Sequence, residues 1–104
     1  MAAKIVPDEL DVQLSKTITM GEETFDVIHL KEPNLGQLSQ FFRKIRAGEE
    51  LDAFKWLISA VSGIPLPVIE KIGARDFWKA EKYLEAFITS PDESDPSGNV
   101  GGSL

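Results

Sequence analysis

The sequence predicts an α+β protein: an N-terminal β-hairpin, a small bundle of three to four helices, and a disordered C-terminal tail. Three observations carry that prediction. Apolar residues alternate with polar ones from Leu10 to Met20 and return between Thr24 and Lys31, with only Gly21-Glu22-Glu23 between the two runs. Period two marks a strand with one buried face. From Leu35 onward the apolar spacing changes to the three- and four-residue steps of amphipathic helices, punctuated by Gly48, Gly63 and Gly73. After Thr89 the chain reads Ser-Pro-Asp-Glu-Ser-Asp-Pro-Ser-Gly-Asn, which lacks the apolar surface needed to offset the entropy of ordering.

The first strand covers about 10–20, with Leu10, Val12 and Leu14 alternating against Asp11 and Gln13, then Ile18 and Met20. In the second strand, 24–31, Phe25 and Val27 share one phase while Ile28 and Leu30 share the other. A bulge between Val27 and Ile28 would reconcile them, as would burial on both faces. Pro33 stops the strand, and Asn34 can cap a helix with Gln37 at the reciprocal capping-box position. Leu35, Leu38, Phe41, Phe42 and Ile45 fall in one arc at about 100° per residue, and Gly48 ends that run as a cap. The next stripe, Leu51, Phe54, Leu57, Ile58 and Val61, repeats the first position for position and stops at Gly63. Matching stripes with a short link predict an antiparallel helical hairpin.

Ile64-Pro65-Leu66-Pro67 holds the backbone extended before each proline. Pro67 then opens a short helix through Val68, Ile69 and Ile72, closed at Gly73. The last helix is expected from about Arg75 to Thr89, with Phe77, Ala80, Tyr83, Leu84, Phe87 and Ile88 on one side. Leu38, Phe54 and Phe87 lie inside their stripes, so truncation of each to Ala is expected to cost about 2–5 kcal/mol. The organisation is a flexible N-terminus over 1–9, a single domain over 10–89, and an acidic disordered tail over 90–104.

Composition excludes more than it identifies. The net charge of −6 repels phosphate backbones, which argues against nucleic acid. The basic run Arg43-Lys44-Ile45-Arg46 reads as a solvated helix face. Without cysteine there is no disulfide, no thiolate metal site and no cysteine nucleophile. No stretch approaches the roughly 18 apolar residues of a membrane span, and the N-terminus turns acidic at Asp8-Glu9, unlike a signal peptide. The expectation is a soluble cytoplasmic protein with no membrane association.

Chemistry-bearing residues are sparse. His29 is the sole histidine, with only Asp26 and Glu32 near it in sequence, and no nucleophile is placed beside it. The acidic pairs Asp8-Glu9, Glu22-Glu23, Glu49-Glu50 and Asp92-Glu93 sit at turns or termini and form no calcium loop. The glycines are isolated and build no phosphate loop. We therefore expect no catalytic residue, no metal and no cofactor. The tryptophans remain. Trp56 lies about 140° from Leu51 and is flanked by Ala53 and Ala60, as on a central helix that buries two faces. Trp78 stands about 100° off Phe77 and fits a second buried face or a partner anchor equally well. Trp78, then Trp56, are the candidate partner-binding residues.

In their order, the hairpin, the two amphipathic segments, the Gly63-Ile64-Pro65 break and the closing Asp76-Phe77 helix resemble the small tail assembly chaperones of long-tailed phages, the Mu-like contractile group and related prophages. The resemblance spans about residues 10–89 and rests on Gly21, Leu30, Glu32-Pro33, Gly63, Pro65, Val68 and Asp76-Phe77. It departs at Lys31, where relatives commonly carry arginine. It implies a protein that binds the tape measure protein and keeps it soluble in the host cytoplasm, with the tail tube protein as a second expected partner, and that is absent from the mature virion. A homo-oligomer is compatible with it. A different class, a small acidic regulator or antitoxin-like inhibitor of a basic partner, is the alternative reading.

Overall fold

A computed structural model describes residues 7–88 of the chain. Strands β1 (Glu9–Met20) and β2 (Glu23–Lys31) form an antiparallel hairpin, followed by α1 (Leu35–Arg46), α2 (Glu50–Ser62), the four-residue α3 (Leu66–Ile69) and α4 (Ala74–Ile88). The fold is α+β as expected. The two-stranded sheet has too little apolar surface to stand alone. It lies on the helices, with α2 against β2 and α4 against β1. The opposed pairs Leu10–Leu30 and Val12–Ile28 turn inward, while Glu9–Lys31 and Asp11–His29 face solvent.

The hairpin closes with Met20 opposite Glu23, leaving Gly21-Glu22 as the loop. Gly21 has φ +64°, the positive value that two-residue hairpin turns require at their first central position. Between Gln13 and Ile18 the register slips, and Leu14 to Thr17 stand opposite Asp26 alone. The irregularity therefore lies on β1, not between Val27 and Ile28, which was one of the two explanations that the phases of β2 allowed. The phase change itself is real, because Ile28 opposes Val12 while Phe25 opposes Ile18. The amide of Gln13 donates to the carbonyl of Asp26 (2.8 Å) and ties the two strands together beside the slip.

Asn34 caps α1 through the full reciprocal box: Gln37 N–H donates to Asn34 Oδ1 (2.8 Å), and Asn34 N–H donates to Gln37 Oε1 (2.9 Å). The two matching stripes pack side by side but are buried unequally. Helix α2 is central, touching α1, β2, α3 and α4, and it buries Ala53, Phe54, Leu57, Ile58 and Val61. Helix α1 has a neighbour mainly on its α2 side and fully buries only Phe41. Phe41 meets Phe54 edge-on at 4.9 Å between ring centres.

Two of the expected core positions are thereby corrected. Leu38 and Phe87 are half-buried, and only Phe54 is enclosed. Leu35 and Leu51, the first residue of each stripe, are 80% and 52% exposed. Both stand in the first turn of their helices.

Gly63 ends α2 in the left-handed region (φ +78°) and donates its N–H to the carbonyl of Ser59, the role a side-chain-free residue serves after a helix. Helix α3 is shorter than expected. Its helical bonding gives way after Ile69 to tight i→i+3 bonds, Lys71 to Val68 and Ile72 to Ile69, a common way for a helix to run out. Lys55 of α2 reaches across to Glu70 (3.1 Å), and that hydrogen bond holds its ammonium above the usual lysine range. Helix α4 buries Asp76, Phe77, Ala80, Tyr83 and Leu84. Strand β1 begins at Glu9, and the phenol of Tyr83 donates to the Pro7 carbonyl (2.8 Å). Burial, with Asp8, Glu32 and Glu9 adding to it, keeps that phenol protonated to higher pH than usual. Residues 1–6 of the flexible N-terminus expected over 1–9, the end of the last helix at Thr89 and the disordered tail over 90–104 lie outside the described residues.

Candidate functional site

Helix α4 carries the feature that most needs explaining. Its buried residues group around Ala80, and at about 100° per residue Trp78 falls on the opposite side of the helix. Its indole is 52% exposed. It rests edge-on against Phe77, the ring centres 5.1 Å apart. Tryptophan is highly buried on average, and an open indole on a rigid helix serves readily as a binding anchor. Trp56 has a different setting. It is half-buried against the core from α2, as the two-faced reading of that helix required. No ring contact joins the two tryptophans among the described residues.

What orients α4 is a buried carboxylate two residues before Trp78. Asp76 is 3% exposed, and its Oδ2 accepts the backbone N–H of Ser15 (2.9 Å) and the Ser15 hydroxyl (3.0 Å). Ser15 belongs to the slipped stretch of β1, so the irregularity frees a strand N–H and Asp76 satisfies it. The same carboxylate sits in the first turn of α4, where the helix dipole favours negative charge. Sequence reasoning found Asp76 only as part of a family resemblance. No local pattern announces a partner 61 positions away.

The solvent face of α4 is strongly charged. Arg75, Lys79 and Lys82 are exposed on one side of Trp78, and Glu81 and Glu85 lie on the other. Partial burial, followed by the nearby charges of Glu85 and Glu50, raises the affinity of Glu81 for its proton. A carboxyl raised in the folded state costs stability above its folded pKa. The cost vanishes once pH falls below the unfolded glutamate value of about 4.3, where both states are protonated. Glu81→Gln is therefore expected to raise the melting temperature at pH 7 by a degree or so and to leave it unchanged near pH 3.5. Calorimetry at low micromolar concentration checks this, and a lower melting temperature at pH 7 refutes it.

His29 Nδ1 lies 2.6 Å from Asp11 Oδ1, directly across the hairpin, and both side chains are well exposed. Its partner is this cross-strand acid, not Asp26 or Glu32. Among the described residues no three His, Asp or Glu side chains gather to hold a metal ion. No helix among them is long and apolar enough to cross a membrane.

Comparison with known proteins supplies what geometry does not. The family model described as "Phage tail assembly chaperone proteins, E, or 41 or 14" matches residues 11–89. No curated protein and no solved structure matches the chain significantly. The family match takes in the hairpin, the slipped stretch with Ser15, every helix, Asp76 and Trp78, and covers most of the sequence. The chain belongs to the phage tail assembly chaperone family.

Proposed function

We propose that this protein binds the tape measure protein of its phage through the outer face of α4, and keeps it soluble until the tail tube is built. The observation that carries this reading is the exposed indole of Trp78 on a member of a tail assembly chaperone family. Tape measure proteins are long helical chains, and an amphipathic helix can lay its apolar stripe on an aromatic anchor fixed on a rigid helix. The role is one of binding, with no catalytic residue, metal or cofactor. It is exercised in the host cytoplasm, with the tail tube protein as a second partner, and the chaperone is left out of the mature virion.

Trp78→Ala is expected to weaken binding to a purified tape measure fragment about thirty-fold, the equivalent of about 2 kcal/mol for loss of a central aromatic anchor. Its circular dichroism and melting should change little, because the indole is half in water. Trp56→Ala is the contrasting control and should lower the melting temperature first. Unchanged affinity in a well-folded Trp78→Ala variant removes Trp78 from the site. Failure of the unmodified chain to bind any tape measure fragment rejects the reading altogether.

A further inference from the structure

The charges around Trp78 are sorted by sign. Taking Trp78 as the origin and about 100° per residue, Lys82, Arg75 and Lys79 fall within about 100° on one flank, and Glu85 and Glu81 within about 60° on the other. Intrahelical spacing sets like beside like in three of four cases. Arg75–Lys79 and Glu81–Glu85 are i,i+4 pairs and Lys79–Lys82 is i,i+3, all repulsive arrangements on a helix surface, while Lys82–Glu85 (i,i+3), at the boundary between the flanks, is the one attractive spacing among these five residues. Among the described residues the ion pairs are His29–Asp11 and Lys55 with Asp52 and Glu70, and none involves α4. The carboxylate of Glu81 has no ion-pair partner among the described residues and is crowded further by Glu50. Interleaved signs would have stabilised the helix. Segregated signs on either side of an exposed indole favour binding only if the opposing surface carries the reverse arrangement.

A second copy of α4 is such a surface. A twofold axis parallel to the helix sets two copies face to face and parallel, and it exchanges left flank for right. The basic flank of each copy then faces the acidic flank of the other at nearly the same height. With a rise of about 1.5 Å per residue, Glu81 stands almost level with Lys82 of the second copy and about 3 Å along the axis from its Lys79. The two Trp78 rings meet on the axis. An antiparallel pair would instead bring like flanks together. A wholly acidic or wholly basic partner would match one flank and repel the other.

We propose that the outer face of α4 is a self-association surface, on which two copies pack in parallel through Trp78, with the basic flank of each (Arg75, Lys79 and Lys82) facing Glu81 of the other and Glu85 beside the twofold axis. This goes beyond the tape measure reading and is tested without that protein. One helix face is a small interface, so the pair should be weak and salt-sensitive, and the same face stays available to a client that competes for it.

Sedimentation of the purified chain from 5 to 300 µM should show the mass rising toward a dimer at low salt. Trp78→Ala should weaken association at least tenfold. The variants Lys79→Glu/Lys82→Glu and Glu81→Lys/Glu85→Lys should each remain monomeric alone and associate when mixed one to one. Direction is read by disulfide trapping, which is clean because the chain has no cysteine. Glu85→Cys lies near the axis only in the parallel pair and should cross-link at least tenfold faster than Glu22→Cys on the exposed hairpin turn. An unmodified chain that stays monomeric across the range overturns the proposal. So does association that ignores both charge variants, or Glu85→Cys cross-linking no faster than the control. The charge variants keep the test decisive even if Trp78→Ala folds poorly.

Discussion

Leu57→Ala is expected to destabilise the protein by about 4 kcal/mol, near the upper end for a leucine truncated in a packed core. Leu57 is 0% exposed and lies on the one helix that touches α1, β2, α3 and α4. Walls contributed by several elements cannot all collapse into the space left by the side chain, so most of the cavity should persist. For a protein of this size the melting temperature should fall by roughly 15–30 °C. The comparison that gives the number meaning is Leu51→Ala, in the same stripe and on the same helix. Leu51 is 52% exposed and should stay within about 0.5 kcal/mol of the unmodified protein. Urea unfolding with a common m-value measures both. A cost below about 1 kcal/mol at Leu57, or above it at Leu51, would mean that α2 is rotated from the position described.

The contrast shows where sequence was sufficient. Period two and period 3.6 follow from local geometry, so the hairpin, the capping box at Asn34 and the four helices were readable from residue types alone. Which of two identical stripes is central was not. Phe41 and Leu57 occupy equivalent places, yet α1 fully buries one residue and α2 buries five. That difference is set by how many neighbours each helix has, a property of the whole fold. Pattern alone therefore places Leu35 and Leu51 in the same stripes as the buried residues, although both are exposed.

The candidate site was legible in the same partial way. The off-stripe angle of Trp78 singled it out, because a side chain far from the apolar arc either covers a second element or stands in water. Only the fold shows that nothing among the described residues covers it. Trp56, off its own stripe by a similar argument, is half-buried because its helix is enclosed on several sides. The slip in β1 was sensed as a phase conflict on β2, for which a bulge between Val27 and Ile28 was one explanation and burial on both faces the other. A phase conflict reports that opposing residues are mismatched in number, not which strand carries the excess.

Asp76→Ala is expected to cost about 2–3 kcal/mol, the value of charge-assisted hydrogen bonds lost from a partly buried site. Two bonds go, from the Ser15 N–H and hydroxyl, and with them an acid in the first turn of α4. Ser15 is itself exposed, so water can replace the carboxylate at its N–H, which holds the cost below that of a fully buried orphan. Asp76→Asn keeps one acceptor oxygen and should lose about half as much. Ser15→Ala leaves the backbone N–H on the carboxylate and should cost about 1 kcal/mol. In the double variant Ser15→Ala/Asp76→Ala the hydroxyl has no partner left to lose. The combined cost should therefore fall short of the sum of the singles by about 1 kcal/mol. Strict additivity would show that the serine and the aspartate do not act through each other. The consequence for function is directional: with the latch gone, the first turn of α4 and Trp78 two residues beyond it lose their fixed relation to the hairpin. Asp76→Ala should therefore weaken tape measure binding even at temperatures where the protein remains folded, whereas Leu51→Ala, remote from the latch, should not.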